Sequence, residues 1–156
     1  RYTPSDVFET FPQPAPQEGA QWRRVSDAGE ALNQYRSSLM VSMNLGLTKI
    51  YNCVHDRLDT RAEFVHLRDL HMQLDAAVRD AYGWTDLELD HHHWEMPQGI
   101  RFTVSPAAKE ELLDRLLELN HQRYADEISA GLHDKKSKKA SAKRAKAVDE
   151  NQESML

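Results

Sequence analysis

Arg61-Ala62-Glu63-Phe64-Val65-His66-Leu67-Arg68-Asp69-Leu70-His71-Met72-Gln73-Leu74-Asp75-Ala76-Ala77-Val78-Arg79-Asp80-Ala81-Tyr82 is the stretch from which the fold is read. Phe64, Leu67, Leu70, Leu74, Val78 and Ala81 recur at steps of three and four, so a helix gathers them on one face. Arg68, Asp69, Gln73 and Arg79 fall largely off that face. Gly83 follows as a terminator, because glycine enters the left-handed region without a Cβ penalty.

Upstream, a second helical period begins at Asp27, with Leu32, Tyr35, Leu39 and Met43 in one stripe and Asn44 and Gly46 as stop signals. Leu47, Ile50, Tyr51 and Val54 then predict a short second helix or a continuation of the first after a kink, and the polar run Asp56–Thr60 a loop. Downstream, the helical period vanishes between Trp84 and Val104. Leu87–Leu89 and Ile100–Val104 have strand character, and Met96-Pro97-Gln98-Gly99 is a turn that could join a small hairpin. Ser105-Pro106 opens a further helix with a capping serine, proline at the first helical position, and Glu110 and Glu111 near its positive end. Leu113, Leu117, Tyr124 and Ile128, flanked by Leu112 and Leu116, are its expected buried face, and Gly131 its end. The expected fold is mainly α: a helical subdomain of about four helices with a small β-hairpin insert.

The domain plan follows from composition. Residues 1–26 read as an extended connector, because Pro4, Pro12, Pro14 and Pro16, four of the six prolines, exclude a helix there; Val7, Phe8, Phe11 and Trp22 are its apolar anchors. Residues 27–132 form the helical domain, with the β insert near 85–104. Residues 133–156 read as a disordered basic tail, since no large apolar residue stands between Leu132 and Val148 to offset the ordering entropy. Residues 1–132 hold 13 Lys and Arg against 21 Asp and Glu, a net of −8, while 133–156 hold 7 against 4, a net of +3. The body is acidic and the tail basic.

With 156 residues there is room for one modest domain, and no apolar run approaches the roughly 18 residues that span a bilayer. No signal-peptide pattern opens the chain, so a cytoplasmic location without membrane contact is expected. A single cysteine, Cys53, excludes an internal disulfide and a cysteine-based zinc site, and beside Val54 it reads as a small buried or half-buried thiol. The chain opens on Arg1-Tyr2-Thr3-Pro4 without an initiator methionine, the expected look of a piece of a longer polypeptide.

No phosphate loop, nucleophile elbow or H-E-x-x-H pattern occurs. Asp90-His91-His92-His93-Trp94-Glu95 carries metal-ligand chemistry, yet neighbouring strand residues face opposite ways, so at most His91 and His93 converge. The segment reads as a polar, partly exposed loop or edge strand, and no metal ligand is assigned. His55-Asp56, His66 and His71 lack a nearby nucleophile and read as helix-surface or boundary residues rather than acid–base catalysts; no catalytic residue is assigned. Tyr35, Tyr51, Tyr82, Trp84 and Tyr124 recur at core spacing and read as packing. Cations suited to phosphate are Arg1, Arg23, Arg24, Lys135, Lys136, Lys138, Lys139, Lys143 and Arg144.

An ordered series of motifs adds a resemblance. Arg1 to Pro12, with Phe8-Glu9-Thr10-Phe11-Pro12, resembles the "FETFP" segment that follows the target-recognition region in large type IIG-like restriction-modification proteins and related phage-defence DNA methyltransferases. In the same order come Gly46-Leu47-Thr48-Lys49-Ile50-Tyr51-Asn52 with His55-Asp56, Leu67-Arg68-Asp69-Leu70-His71 with Leu74-Asp75, Ala81-Tyr82-Gly83-Trp84, and Arg115-Leu116-Leu117-Glu118-Leu119-Asn120 with Arg123-Tyr124. The resemblance covers most of residues 1–132. It implies a parent protein with an S-adenosylmethionine-dependent adenine-N6 methyltransferase domain, a target-recognition domain and a C-terminal helical region, of which this chain is the last. No N-P-P-Y-type or D-P-P-Y-type tetrapeptide and no glycine-rich cofactor loop lies in the chain, so no methyl-transfer residue carries over and S-adenosylmethionine is expected in the parent alone. The expected partners are the methyltransferase and target-recognition domains of the same polypeptide and, through the parent, double-stranded DNA, with backbone contacts from the cations named above. The competing expectation is a stand-alone helical protein–protein interaction module of a defence complex.

Overall fold

A computed structural model describes residues 11–14 and 19–131. Among them the chain forms helices α1 (Ala20–Ser42), α2 (Leu47–His55) and α3 (Ala62–Ala81), strands β1 (His92–Met96) and β2 (Gly99–Thr103), and helix α4 (Pro106–Ser129). The architecture is mainly helical with one antiparallel hairpin. The described residues divide into two units, one within 13–114, the other comprising Phe11, Pro12 and residues 115–131. Arg1, most of the extended connector and the whole basic tail lie outside the described residues.

Helix α1 starts at Ala20, earlier than the apolar period from Asp27 predicts, so Trp22, Arg23 and Arg24 ride on its first turns instead of on a connector. Residues 20–26 contain neither proline nor glycine, and nothing stops the helix from propagating back to Gly19, whose φ of 92° ends it. At the other end Asn44 adopts φ 52°, the Leu45 amide donates to the Met40 carbonyl at 3.0 Å and the Asn44 amide to the Val41 carbonyl at 3.2 Å. This pair of bonds satisfies two terminal carbonyls and turns the chain into α2. Gly83, at φ 77°, closes α3 the same way, with the Trp84 amide on Arg79 O and the Gly83 amide on Asp80 O.

The core lies where α1, α2 and α3 meet. Leu32 and Leu39 from α1, Ile50 and Val54 from α2, and Phe64, Leu67 and Leu70 from α3 form one buried cluster. Phe64, Ile50 and Leu67 are completely shielded, each removing on the order of 2 kcal/mol of apolar surface from water. Tyr35, Tyr51, Cys53, Leu74 and Phe102 pack around the cluster, so the half-buried thiol and the packing roles of Tyr35 and Tyr51 stand as the spacing implies.

The hairpin pairs His92 with Thr103, Trp94 with Arg101 and Met96 with Gly99, around Pro97-Gln98. Its first strand is thus the histidine run itself and not Leu87–Leu89. Those two leucines are buried in irregular backbone, tied by Leu87 N–H to Trp84 O and by Ser105 N–H to Leu89 O. They alternate like a strand because both need the same apolar face, although no neighbouring chain pairs with them.

Helix α4 begins as its sequence predicts, with the buried Ser105 hydroxyl accepting the Ala108 amide at 3.1 Å. Its expected buried face is not buried: Leu113, Leu117, Tyr124 and Ile128 are 51 to 57% exposed, and Ala108 is the buried residue of the helix. Periodicity reports which side chains share a stripe; it carries no information on whether another element covers it.

Candidate functional site

The chemistry of unit 13–114 is concentrated where α2, α3 and the hairpin approach one another. At its base sits Arg68, only 8% exposed although its position lies beside the apolar stripe of α3. Its guanidinium donates Nε–H to Val54 O at 2.8 Å, Nη1–H to Asp59 O at 2.9 Å, and Nη2–H to Cys53 O at 3.0 Å and Asp56 O at 2.9 Å. Two of these carbonyls belong to the last turn of α2, the negative end of that helix, and two to the loop beyond it. The planar fork therefore satisfies orphan helix carbonyls while the helix dipole stabilises the buried cation. Phe102 of β2 lies under the same guanidinium at 5.9 Å.

The loop that Arg68 closes carries its own charge pair. Asp59 accepts Nε–H of Arg61 at 2.9 Å and its other oxygen pairs with Nη2, which holds its carboxyl down at about 2. Arg61 also lies over the Phe64 ring at 4.5 Å and reaches Cys53 Sγ at 3.4 Å.

Above this base is a small pocket of about 120 Å³, walled by Tyr51 and His55 of α2, His71 and Asp75 of α3, His91, and Phe102 and Thr103 of β2. Tyr51 Oη and His71 Nε2 are hydrogen-bonded at 2.9 Å, and His91 Nε2 and Asp75 Oδ2 at 2.8 Å. His93 Nε2 lies 3.4 Å from Val54 O. The Phe102 amide donates to His55 Nδ1 at 3.1 Å. A backbone N–H can only donate, so Nδ1 of His55 is the bare nitrogen and the neutral ring carries its proton on Nε2.

Burial pushes the pKa values of His55, His71 and His93 below the usual histidine range. The charge of Arg101 adds to this for His55 and that of Arg68 for His93, while at His71 the neighbouring Asp75 works against burial. Burial in the fold therefore favours the neutral form of these three rings.

His91 and His93 do face the same way, as alternation on a strand requires, with His92 and Trp94 ring to ring elsewhere. The segment is the partly exposed edge strand that composition implies, with His92 and Glu95 exposed, but within it the His91 side chain is only 5% exposed, held by Asp75 and by stacking on Phe102. His55 and His71 are half-buried boundary residues, as expected, and form part of the pocket wall, while His66 is exposed. Among the described residues no three metal-ligating side chains gather in a way that could hold an ion.

Of the cations marked for phosphate, Arg23 and Arg24 stand exposed on α1, apart from the histidine pocket wall, while Arg1, Lys135, Lys136, Lys138, Lys139, Lys143 and Arg144 lie outside the described residues. Arg68 and the Tyr51–His71 pair are the residues that period counting overlooks. A signal for them exists: Arg68, His71 and Asp75 follow Phe64 at intervals of four, three and four, a polar flank along the apolar stripe of α3, and Tyr51 and His55 flank α2 in the same way. Compared with protein-family models, with curated proteins and with solved structures, the chain matches none.

Proposed function

We propose that this chain is the C-terminal helical region of an S-adenosylmethionine-dependent adenine-N6 DNA methyltransferase of the restriction-modification or phage-defence kind. In this role it braces the target-recognition region and adds contacts to the DNA backbone, while methyl transfer belongs to a domain upstream. S-adenosylmethionine is bound there as well, since this chain has no glycine-rich cofactor loop.

One observation carries the reading. Two of the motifs on which the family resemblance rests, those of α2 and α3, share one junction. Arg68 of Leu67-Arg68-Asp69-Leu70-His71 binds the carbonyls that end the helix of Gly46–Asn52 and His55-Asp56, and His71 binds Tyr51 of that helix. Two motifs that are one another's hydrogen-bond partners form one structural unit, which supports reading that part of the series together. The acidic body argues for bracing over clamping, because its long-range field repels DNA and leaves only local contacts.

The test is the intact polypeptide. Reading the gene upstream of Arg1 is expected to reach an N-P-P-Y-type or D-P-P-Y-type tetrapeptide. The purified full-length protein is expected to transfer labelled methyl groups to adenine in DNA, with loss of that activity when residues 27–131 are deleted. A start codon immediately before Arg1 overturns the reading in favour of a stand-alone interaction module.

A further inference from the structure

On the outer side of His55 lies a second, open groove of about 490 Å³, between the loop that follows α2 and the start of β2. Its polar lining is dominated by donors. Arg57, two residues past the end of α2, is exposed, Asn52 is exposed on the last turn of that helix, and Arg101 belongs to β2. No hydrogen bond or ion pair among the described residues engages the side chains of Arg57 or Asn52, and Arg101 spends one Nη on its neighbour's carbonyl, Ile100 O, at 2.9 Å. The single carboxylate in the lining, Asp56, is already an acceptor for the Leu58 amide at 2.9 Å. His55 completes the set: because its Nδ1 accepts the Phe102 amide, its Nε2 is left as a donor. Leu58, 80% exposed, and Ile100, 38% exposed, give the groove apolar flanks.

We propose that this groove is a phosphate site through which the chain grips one backbone phosphate of DNA, with Arg57 and Arg101 as the cationic pair and His55 and Asn52 as neutral donors. Two guanidiniums, an imidazole N–H and a carboxamide around an open, otherwise acidic body suit an anion with two non-bridging oxygens, and guanidinium forks match phosphate bidentately. Apolar flanks suit the sugar edge of a strand running past the bound phosphate. The proximity of Arg101 to His55 is independently visible in the fall of the His55 pKa that Arg101 helps to cause. The proposal rests on the methyltransferase-module reading in taking DNA as the source of the phosphate. It assigns the contact to residues of α2, the loop after it and β2, other than Arg23, Arg24 and the cations of residues 133–156.

The experiment uses the full 156-residue chain, a labelled 12-base-pair duplex, the same length of duplex RNA, and inorganic pyrophosphate. Amide shifts on adding DNA are expected to cluster at Asn52, His55, Arg57, Arg101 and Phe102. The double variant R57A/R101A is expected to weaken duplex binding about tenfold and to lower the salt slope by about 1 to 2, whereas R57K/R101K retains most of the affinity. Both sites are outside the apolar core, and retention of the wild-type circular dichroism shows that the fold survives. Binding that is unchanged in R57A/R101A, or wild-type shifts confined to Arg23, Arg24 and the tail, overturns the groove and leaves the methyltransferase reading intact. Pyrophosphate shifts in the groove without any duplex binding show a free-phosphate site and overturn DNA as the occupant, and tighter binding of RNA than of DNA does the same. Groove binding of DNA in a chain whose gene carries no methyltransferase upstream upholds the site and sinks the functional reading.

Discussion

Arg68 shows how one side chain organises its surroundings. A guanidinium 8% exposed with four carbonyl acceptors is a charge removed from water and repaid by directional bonds, so the loss of the donor matters more than the loss of the charge. Arg68→Met fills the volume but leaves the end of α2 and the following loop unsatisfied, and the expected cost is roughly 3 kcal/mol or more, read as a fall in the midpoint of urea unfolding. Arg68→Lys keeps the charge but has a point-like ammonium that cannot span the four acceptors, and about half that loss is expected. Equal midpoints for wild type and Arg68→Met are the result that defeats this account. Tyr51→Phe removes one half-buried hydroxyl from His71, and about 1 kcal/mol is expected in the same measurement.

At the scale of elements, the hairpin is held by imidazoles, and that makes its docking sensitive to acid. His55, His71 and His93 all have folded-state pKa values below the ordinary 6.5, so below pH 6.5 the unfolded chain binds more protons than the folded one. Their contribution to stability is complete above 6.5 and is lost as pH falls through the lowered folded values. The groups around them reinforce the sign for His55 and His93, where Arg101 and Arg68 repel a second charge; Asp75 beside His71 partly opposes it. A protonated His55 also has no lone pair left for the Phe102 amide. The protection of that amide against hydrogen exchange is therefore expected to fall from about pH 7 to about pH 5 well ahead of the Leu67 amide in the core. In His55→Gln, whose carbonyl accepts at every pH, the difference between the two amides is expected to vary less with pH, leaving the part due to His71 and His93. A separate element-level expectation concerns α4, where Ser105→Ala removes its N-cap at a cost of about 1 kcal/mol, measurable by thermal unfolding.

Across the whole molecule, charge is partitioned between an acidic body and a basic tail, a net −8 against +3. Deleting residues 134–156 is expected to weaken binding of the chain to any duplex, specific or scrambled, and to flatten its dependence on salt, since counterion release is blind to sequence. What binding survives is expected to depend on Arg57 and Arg101 and to be equal for the two duplexes. Sequence-selective binding that survives removal of the tail would instead make the helical body a participant in target recognition. No described helix is long and apolar enough to cross a membrane, so the stripe of Leu113, Leu117, Tyr124 and Ile128 is not a membrane span.

The sequence by itself determined the helices, their stops and the hairpin turn, because these depend on residues a few positions apart. Phe64, Leu67 and Leu70 share a face by helical geometry, Asn44 and Gly83 tolerate the left-handed turn, and Ser105 reaches an amide three residues on. The early start of α1 escaped because that segment has no core stripe to announce it. Only the tertiary structure decided that Arg68 is buried, that His55 accepts an amide 47 positions away, and that the expected apolar face of α4 is exposed. These facts depend on which surfaces meet, and burial, donor pairing and pKa are properties of a meeting that no local period encodes.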